Sequence, residues 1–300
     1  MDIGDLKVFD AVARLGSMSR AAIELHTVQS NVTGRIRALE SEVGIALFQR
    51  HVHGVSITPA GQRMLPYAAR IAKLIADARQ AALDEGSPKG TLAIGAIWTT
   101  GVRNLSQIVS DFSRMYPQVM LSMTAGTCTA LTAAVANSIL DGAFVAAPRA
   151  HPDLDSIAVF SDELVLVTPA SFRSLADVRS AQNLKAIVFG QGCTYRQRLE
   201  CLLADLDAKP IVILELESVE TIVSCVSSGI GVTLLPKSII ANAETERRVV
   251  THTIPSGIAS MEVSFIRRRD TYFSSAMRAF IDVACLMGDD STRCFSDRIH

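Results

Sequence analysis

Residues 21–50 read AAIELHTVQSNVTGRIRALESEVGIALFQR. Val32, Ile36, Leu39 and Val43 recur at helical spacing on one stripe, and Asn31, Thr33, Arg35 and Arg37 fall on the other faces, which predicts a helix from about Ser30 to Val43. Ser19 to Leu25 reads as a shorter helix before it. Farther upstream, Leu6, Val8, Phe9, Val12 and Ala13 mark a third that Gly16 and Ser17 end. Helices this short bury their stripes only against one another, so a small trihelical domain is expected.

After Gly44 the pattern changes. Leu47-Phe48 leads into a short alternating stretch, Arg50 to Thr58, that turns at His53-Gly54 and reads as a hairpin, or wing. Thr58 as cap and Pro59 at the first helical position open a long alanine-rich helix to about Leu83, in which Pro66 predicts a kink or a delayed start. Its apolar stripe needs a partner, and a second copy of the chain is the expected one.

From Arg14 to Lys73 there are eight basic residues (Arg14, Arg20, Arg35, Arg37, Arg50, Arg63, Arg70, Lys73) against three acidic ones (Glu24, Glu40, Glu42), a net of +5 in a chain whose formal charge is -1. Positive charge concentrated on a trihelical domain suits phosphate contacts. In a helix-turn-helix the second helix enters the major groove by its N-terminal end, where short hydrogen-bonding side chains face base edges. Gln29, Ser30, Asn31 and Thr33 stand there, Gly34 leaves room for close approach, Arg35 and Arg37 follow, and Arg50 and His53 lie on the wing.

The run Ala21-Ala22, Leu25, Val28-Gln29-Ser30-Asn31-Val32-Thr33, Ile36, Leu39-Glu40, Val43-Gly44, Leu47-Phe48, Arg50, then Thr58 and Ala60-Gly61 resembles the N-terminal signature of LysR-type transcriptional regulators. The resemblance spans roughly residues 5 to 65, with three departures. Val28 stands where the family usually has Ser, Ser30 where it has Pro, and His53 where the wing carries a second Arg or Lys. His53, less charged at neutral pH, implies a shallower salt dependence than two arginines would give.

Beyond Asp84 to Gly90, a hinge by composition, the chain alternates strands and helices: strands at Thr91–Ile97, Val119–Met123 and Gly142–Ala147, with helices at about Val102–Met115 and Leu131–Asn137. A second series has strands at Glu163–Thr168, Ala186–Phe189, Ile211–Leu216 and Gly231–Leu235, with helices at about Tyr195–Leu206 and Val219–Ser227. A strand at Val263–Arg267 and a helix at Phe273–Leu286 return to the first lobe. Such alternation predicts parallel sheets covered by helices, in two lobes with a cleft between them.

The expected class is therefore α/β, with a winged helix-turn-helix over 1–60, a linker and dimerisation helix with its hinge over 61–89, and an effector-binding domain over 90–300. Lobe I takes about 90–160 and 262–300, and lobe II about 161–261. The resemblance implies that this domain is like a periplasmic binding protein, that the chain is a homodimer or homotetramer on double-stranded promoter DNA, and that a small-molecule effector controls it. RNA polymerase is a further partner if the regulator is an activator.

Ligands of open α/β lobes sit beyond the carboxyl ends of strands, near helix N-termini. Thr99 and Thr100, then Thr127, then Cys193, Thr194 and Arg196 follow three such strands and are the candidate effector contacts. Arg196 would favour a carboxylate or an amino-acid-like metabolite, or would instead pair with Glu200 four residues on, leaving Glu217 and Glu220 to select an amine. A thiol at a helix N-terminus beside Arg196 is expected to have a lowered pKa, and Cys193 with Cys201 offers a redox-sensing alternative. An intact helix would hold those two about 12 Å apart along its axis.

Six cysteines without a CxxC pair suggest free thiols, and no metal or cofactor is expected. No apolar run reaches the roughly 18 residues a membrane span needs, and the acidic start is unlike an export signal, so a cytoplasmic protein without a membrane partner is expected. That also disfavours a solute-binding transport protein. Catalysis is not expected: there is no GxSxG, and Gly229-Ile230-Gly231 lacks the third glycine of a dinucleotide loop.

Overall fold

In a computed structural model that describes residues 1–51, 54–97, 105–148, 150–208 and 212–286, the first unit is built on Met1–Asp84. Helix α1 (Ile3–Leu15) opens with a capping box between Asp2 and Asp5 and ends at Gly16 in the left-handed conformation, φ 61°. Ser17 caps α2 (Met18–Glu24), and α3 (Gln29–Val43) ends at Gly44, φ 77°. Phe9 and Val12 of α1, Ala21 and Ala22 of α2, and Val32, Ile36 and Leu39 of α3 share one core with Leu47, Phe48 and Ala68.

The predicted wing is present as β1 (Phe48–His51) paired antiparallel with β2 (Gly54–Ile57); its turn at 52–53 lies outside the described residues. Val55 N–H donates to the carbonyl of Gly16, tying the wing to the end of α1. Two motif residues have structural work. Glu40 accepts hydrogen bonds from the amides of Leu47 (2.8 Å) and Phe48 (3.0 Å), fixing the chain between α3 and the wing. Thr58 caps α4 (Pro59–Leu83), and a Cβ on Gly61 would lie 2.4 Å from the Leu47 carbonyl, so only glycine lets that first turn approach. Pro66 delays nothing: α4 starts at Pro59, and Pro66 is inside it.

The second unit is built on Glu85–Ala136 and the residues from Leu140 onward. Strand β3 (Gly90–Ile97) pairs in parallel with β4 (Val119–Gly126) and β5 (Gly142–Ala146); α5 (Ser106–Met115) and α6 (Cys128–Ala136) connect them. The expectation of parallel sheets holds only in part. Strand β6 (Leu154–Pro169) and β11 (Ser260–Arg268) run antiparallel to each other, and β11 is antiparallel to β5. β6 is 16 residues long, where the sequence reading expected only its second half. Through that half it pairs antiparallel with β9 (Thr233–Pro236) and β10 (Val249–His252), giving one sheet in the order β10-β6-β11-β5-β3-β4 with β9 also on β6.

Strands β7 (Lys185–Val188) and β8 (Val212–Glu215) are parallel, and a bridge from Ala186 to Val232 joins them to the approach to β9. Helices α7 (Leu175–Ser180), α8 (Thr194–Asp205), α9 (Val219–Ser227), α10 (Lys237–Thr245) and α11 (Ser256–Ala259) belong to this second lobe, and α12 (Ser275–Leu286) packs beside α5, where Phe112 and Phe280 meet edge to face at 5.1 Å. The chain passes between lobes twice, along neighbouring strands, with Asp162 of β6 opposite Met261 of β11.

Candidate functional site

On the first unit, the polar group predicted to read DNA stands at the start of α3. Val28, its N-cap, makes no side-chain capping bond. The amide of Asn31 donates to the Val28 carbonyl (3.0 Å), and those of Gln29 and Ser30 keep their capacity to bind an anion. Gln29, Ser30 and Asn31 are exposed; Ser19 Oγ donates to Gln29 Oε1 (3.1 Å), and Asn31 Nδ2 donates to Thr27 Oγ1 (2.9 Å). Those two bonds hold both amides ready without burying them. Thr33 is half-buried, and nothing lies within 4 Å of a Cβ built on Gly34.

The basic residues divide. Arg14 is paired with Glu24, and Lys73 with Asp77 at 2.9 Å. Arg35, expected at the DNA, donates to Asp5 (2.9 Å) and Asp2 (3.3 Å), so it anchors α3 to the start of α1. Arg37 and Arg50 are exposed and have no carboxylate partner among the described residues. His53 lies outside the described residues.

In the second unit, α6 and α8 direct their N-termini at one place. A small pocket, its void about 10 Å³, is lined by Ile97, Gly126, Thr127 and Cys128 from lobe I and Phe189, Cys193 and Tyr195 from lobe II. The lobes touch beside it. Thr129 Oγ1 donates to the Gly192 carbonyl (3.4 Å), and Thr194 Oγ1 lies 3.4 Å from both the Ala146 carbonyl and Cys128 Sγ. Gly192 has φ 85°, and a Cβ there would sit 2.8 Å from Thr129 Oγ1, so two constraints call for glycine. Thr127 Oγ1 accepts from the amide of Ala130, as a cap does. Thr127, Cys193 and Thr194 thus come together; Thr99 and Thr100 lie outside the described residues.

For Arg196 the pairing alternative is the one the structure shows, and for Cys193 the expected lowering of the pKa is corrected. Arg196 is not left for an anion: Nε donates to Glu200 (3.0 Å), NH1 bonds Glu215, and these carboxylates raise its pKa further. Glu215 ends β8, a strand away in sequence, so spacing along α8 revealed only Glu200. Burial pushes the Cys193 thiol up to about 11, because loss of water outweighs the amides of Arg196 and Tyr195. The helix between Cys193 and Cys201 is intact and Cys201 is exposed, which disfavours the redox pair. Glu217 and Glu220 are exposed. Cys128, Phe189 and Tyr195 escaped the sequence reading because it sought polar contacts, whereas most of the lining is apolar or sulfur.

Two family models match the chain: "Bacterial regulatory helix-turn-helix protein, lysR family" over residues 3–62, and "LysR substrate binding domain" over 85–285. The HTH-type transcriptional regulator GltR of Bacillus subtilis (strain 168) is 39% identical over 281 residues, 94% of this chain and 95% of that one. CzcR of Bacillus anthracis, also an HTH-type transcriptional regulator, is 38% identical over 94% of this chain and 96% of that one. Full-length OxyR from Pseudomonas aeruginosa has a similar structure, with TM-score 0.73 and 21% identity over 95% of each chain. So does CbnR complexed with its target DNA, with TM-score 0.66 and 21% identity over 96% of this chain and 100% of that one.

Proposed function

The chain belongs to the LysR family of bacterial transcriptional regulators, and from that premise we propose that α3 reads promoter DNA in the major groove while a small molecule held beside Thr127, Cys193 and Thr194 controls occupancy. The observation that carries the reading is the start of α3: Gln29, Ser30 and Asn31 exposed in the first turn of a helix without a side-chain cap, over a core of Val32, Ile36 and Leu39. Gln29 and Asn31 suit adenine edges, Ser30 and Thr33 suit phosphate or thymine, Gly34 gives clearance, Arg37 and Arg50 supply cations, and His53 adds a polar contact. Arg35 contributes by holding the helix.

The domain plan is a DNA-reading part over 1–60, a linker over 61–89 and an effector part from 90 onward. The relatives are regulators and not enzymes, and the mechanism has no catalytic step. Among the described residues no helix is long and apolar enough to cross a membrane, and promoter binding places the chain's action in the cytoplasm. RNA polymerase is the partner wherever the bound promoter is activated.

The cleft is lined from both lobes, and its void of about 10 Å³ is the size of one water molecule, so a small effector would have to part Thr129 from Gly192 to enter. Binding selects one arrangement of the lobes, and the differential affinity sets how far DNA occupancy shifts. Footprinting on the chain's own upstream region tests the first half. Gln29→Ala should lose sequence preference by about 1–3 kcal/mol, and Arg37→Ala should weaken all sequences alike and lower the salt slope by about one. Equal loss on specific and random DNA for Gln29→Ala would overturn the assignment of α3. A thermal-shift panel of carboxylates, amino acids and amines tests the second half, with stabilisation expected to survive Arg196→Ala.

A further inference from the structure

We propose that Cys128 and Cys193, one from each lobe, form a two-thiolate site for a soft monovalent d¹⁰ metal ion of the Cu(I) or Ag(I) class. Both line the cleft pocket, and Thr194, next to Cys193 in the chain, has its hydroxyl 3.4 Å from Cys128 Sγ. The remaining lining is Ile97, Phe189, Tyr195, Gly126 and Thr127. A pocket with two sulfurs, apolar walls and no carboxylate or imidazole among its described lining selects by softness.

Ligand number narrows the ion further. Among the described residues no group of three or more His, Cys, Asp or Glu could hold a metal, so a tetrahedral zinc site is not available there. Soft d¹⁰ monovalent ions are satisfied by two sulfurs in line. On binding, two S–H bonds are exchanged for two S–metal bonds, two protons leave to solvent, and no electron is transferred. The product carries one negative charge. Cys128 begins α6, nine residues long, and Cys193 is the N-cap of α8, twelve residues long, so two helix N-termini face that charge. The hydroxyl of Thr194 is already placed to donate to the Cys128 sulfur.

The ion would share the cleft proposed for the effector, so the inference rests on that cleft admitting ligands, but not on DNA reading. Anaerobic titration of the full-length protein with Ag(I) alone, without DNA or effector, should show one tightly held ion that C128S and C193S each abolish and C201S leaves in place. Retention of that ion by either cleft variant would overturn the site. Mass-spectrometric thiol labelling of the wild type, which needs no variant to fold, gives a second reading. Ag(I) should protect Cys128 and Cys193 together while Cys201 stays labelled; protection of only one of the two overturns the pairing. Promoter binding measured separately shows whether the DNA assignment stands on its own.

Discussion

Val28 begins α3 with extended backbone, φ -97° and ψ 149°, and 64% of it is exposed. It has the geometry of a helix cap and none of the chemistry: a hydroxyl in its place would accept from an amide two or three residues on. Val28→Ser should therefore raise the unfolding free energy of the DNA-reading unit by about 1 kcal/mol, as read from the denaturant midpoint at constant m-value. An unchanged midpoint would mean that the first-turn amides already have other partners. At the opposite end of the same logic, Glu40 satisfies two amides at once. Glu40→Ala strands both, and a loss of about 1–3 kcal/mol is expected in the same measurement.

Secondary elements show where sequence patterns inform and where they fall silent. The three helices, the wing and the long α4 were legible because apolar spacing, caps and turn glycines agree with one another from Asp2 to Pro59. The first half of β6 was not. In Leu154 to Ser161 the polar Asp155, Ser156 and Ser161 break any two-residue alternation, and the strand is ordered by its pairing with β11, a partner about a hundred residues away. Arg196 illustrates the same limit: Glu200 is visible from spacing, Glu215 only from the fold.

The lobe crossing also carries a titration. Burial raises the Asp162 carboxyl from 3.8 to about 6. Between those values the folded chain holds a proton that the unfolded chain has released, so stability falls as pH rises from about 4 to 6 and levels off above. Asp162→Asn should flatten that part of the stability profile in urea titrations at stepped pH. A wild-type slope retained in the variant would place the titrating group elsewhere.

At the scale of the whole molecule, α4 leaves Tyr67 and Leu74 exposed one heptad apart on one stripe of the helix, with Leu83 exposed half a turn round from it. That stripe supports the proposed pairing of two chains through their linker helices. Leu74→Glu sets a carboxylate on the stripe of each copy and should weaken the dimer at least tenfold, about 1.4 kcal/mol, in analytical ultracentrifugation. A variant that sediments as the wild type does would move the interface off this face.

Seven strands of the effector unit belong to one sheet, and β6 is hydrogen-bonded on both sides of the crossing, to β11 before it and to β9 and β10 after it. A hinge made of bare chain would let two halves gape. A ribbon bonded across its width instead resists opening and yields to torsion, since twist leaves the ladder of amides intact. On the proposed reading, a ligand that wedges between Thr129 and Gly192 would turn one lobe against the other instead of parting them, and the regulator's output would be an angle, not a distance.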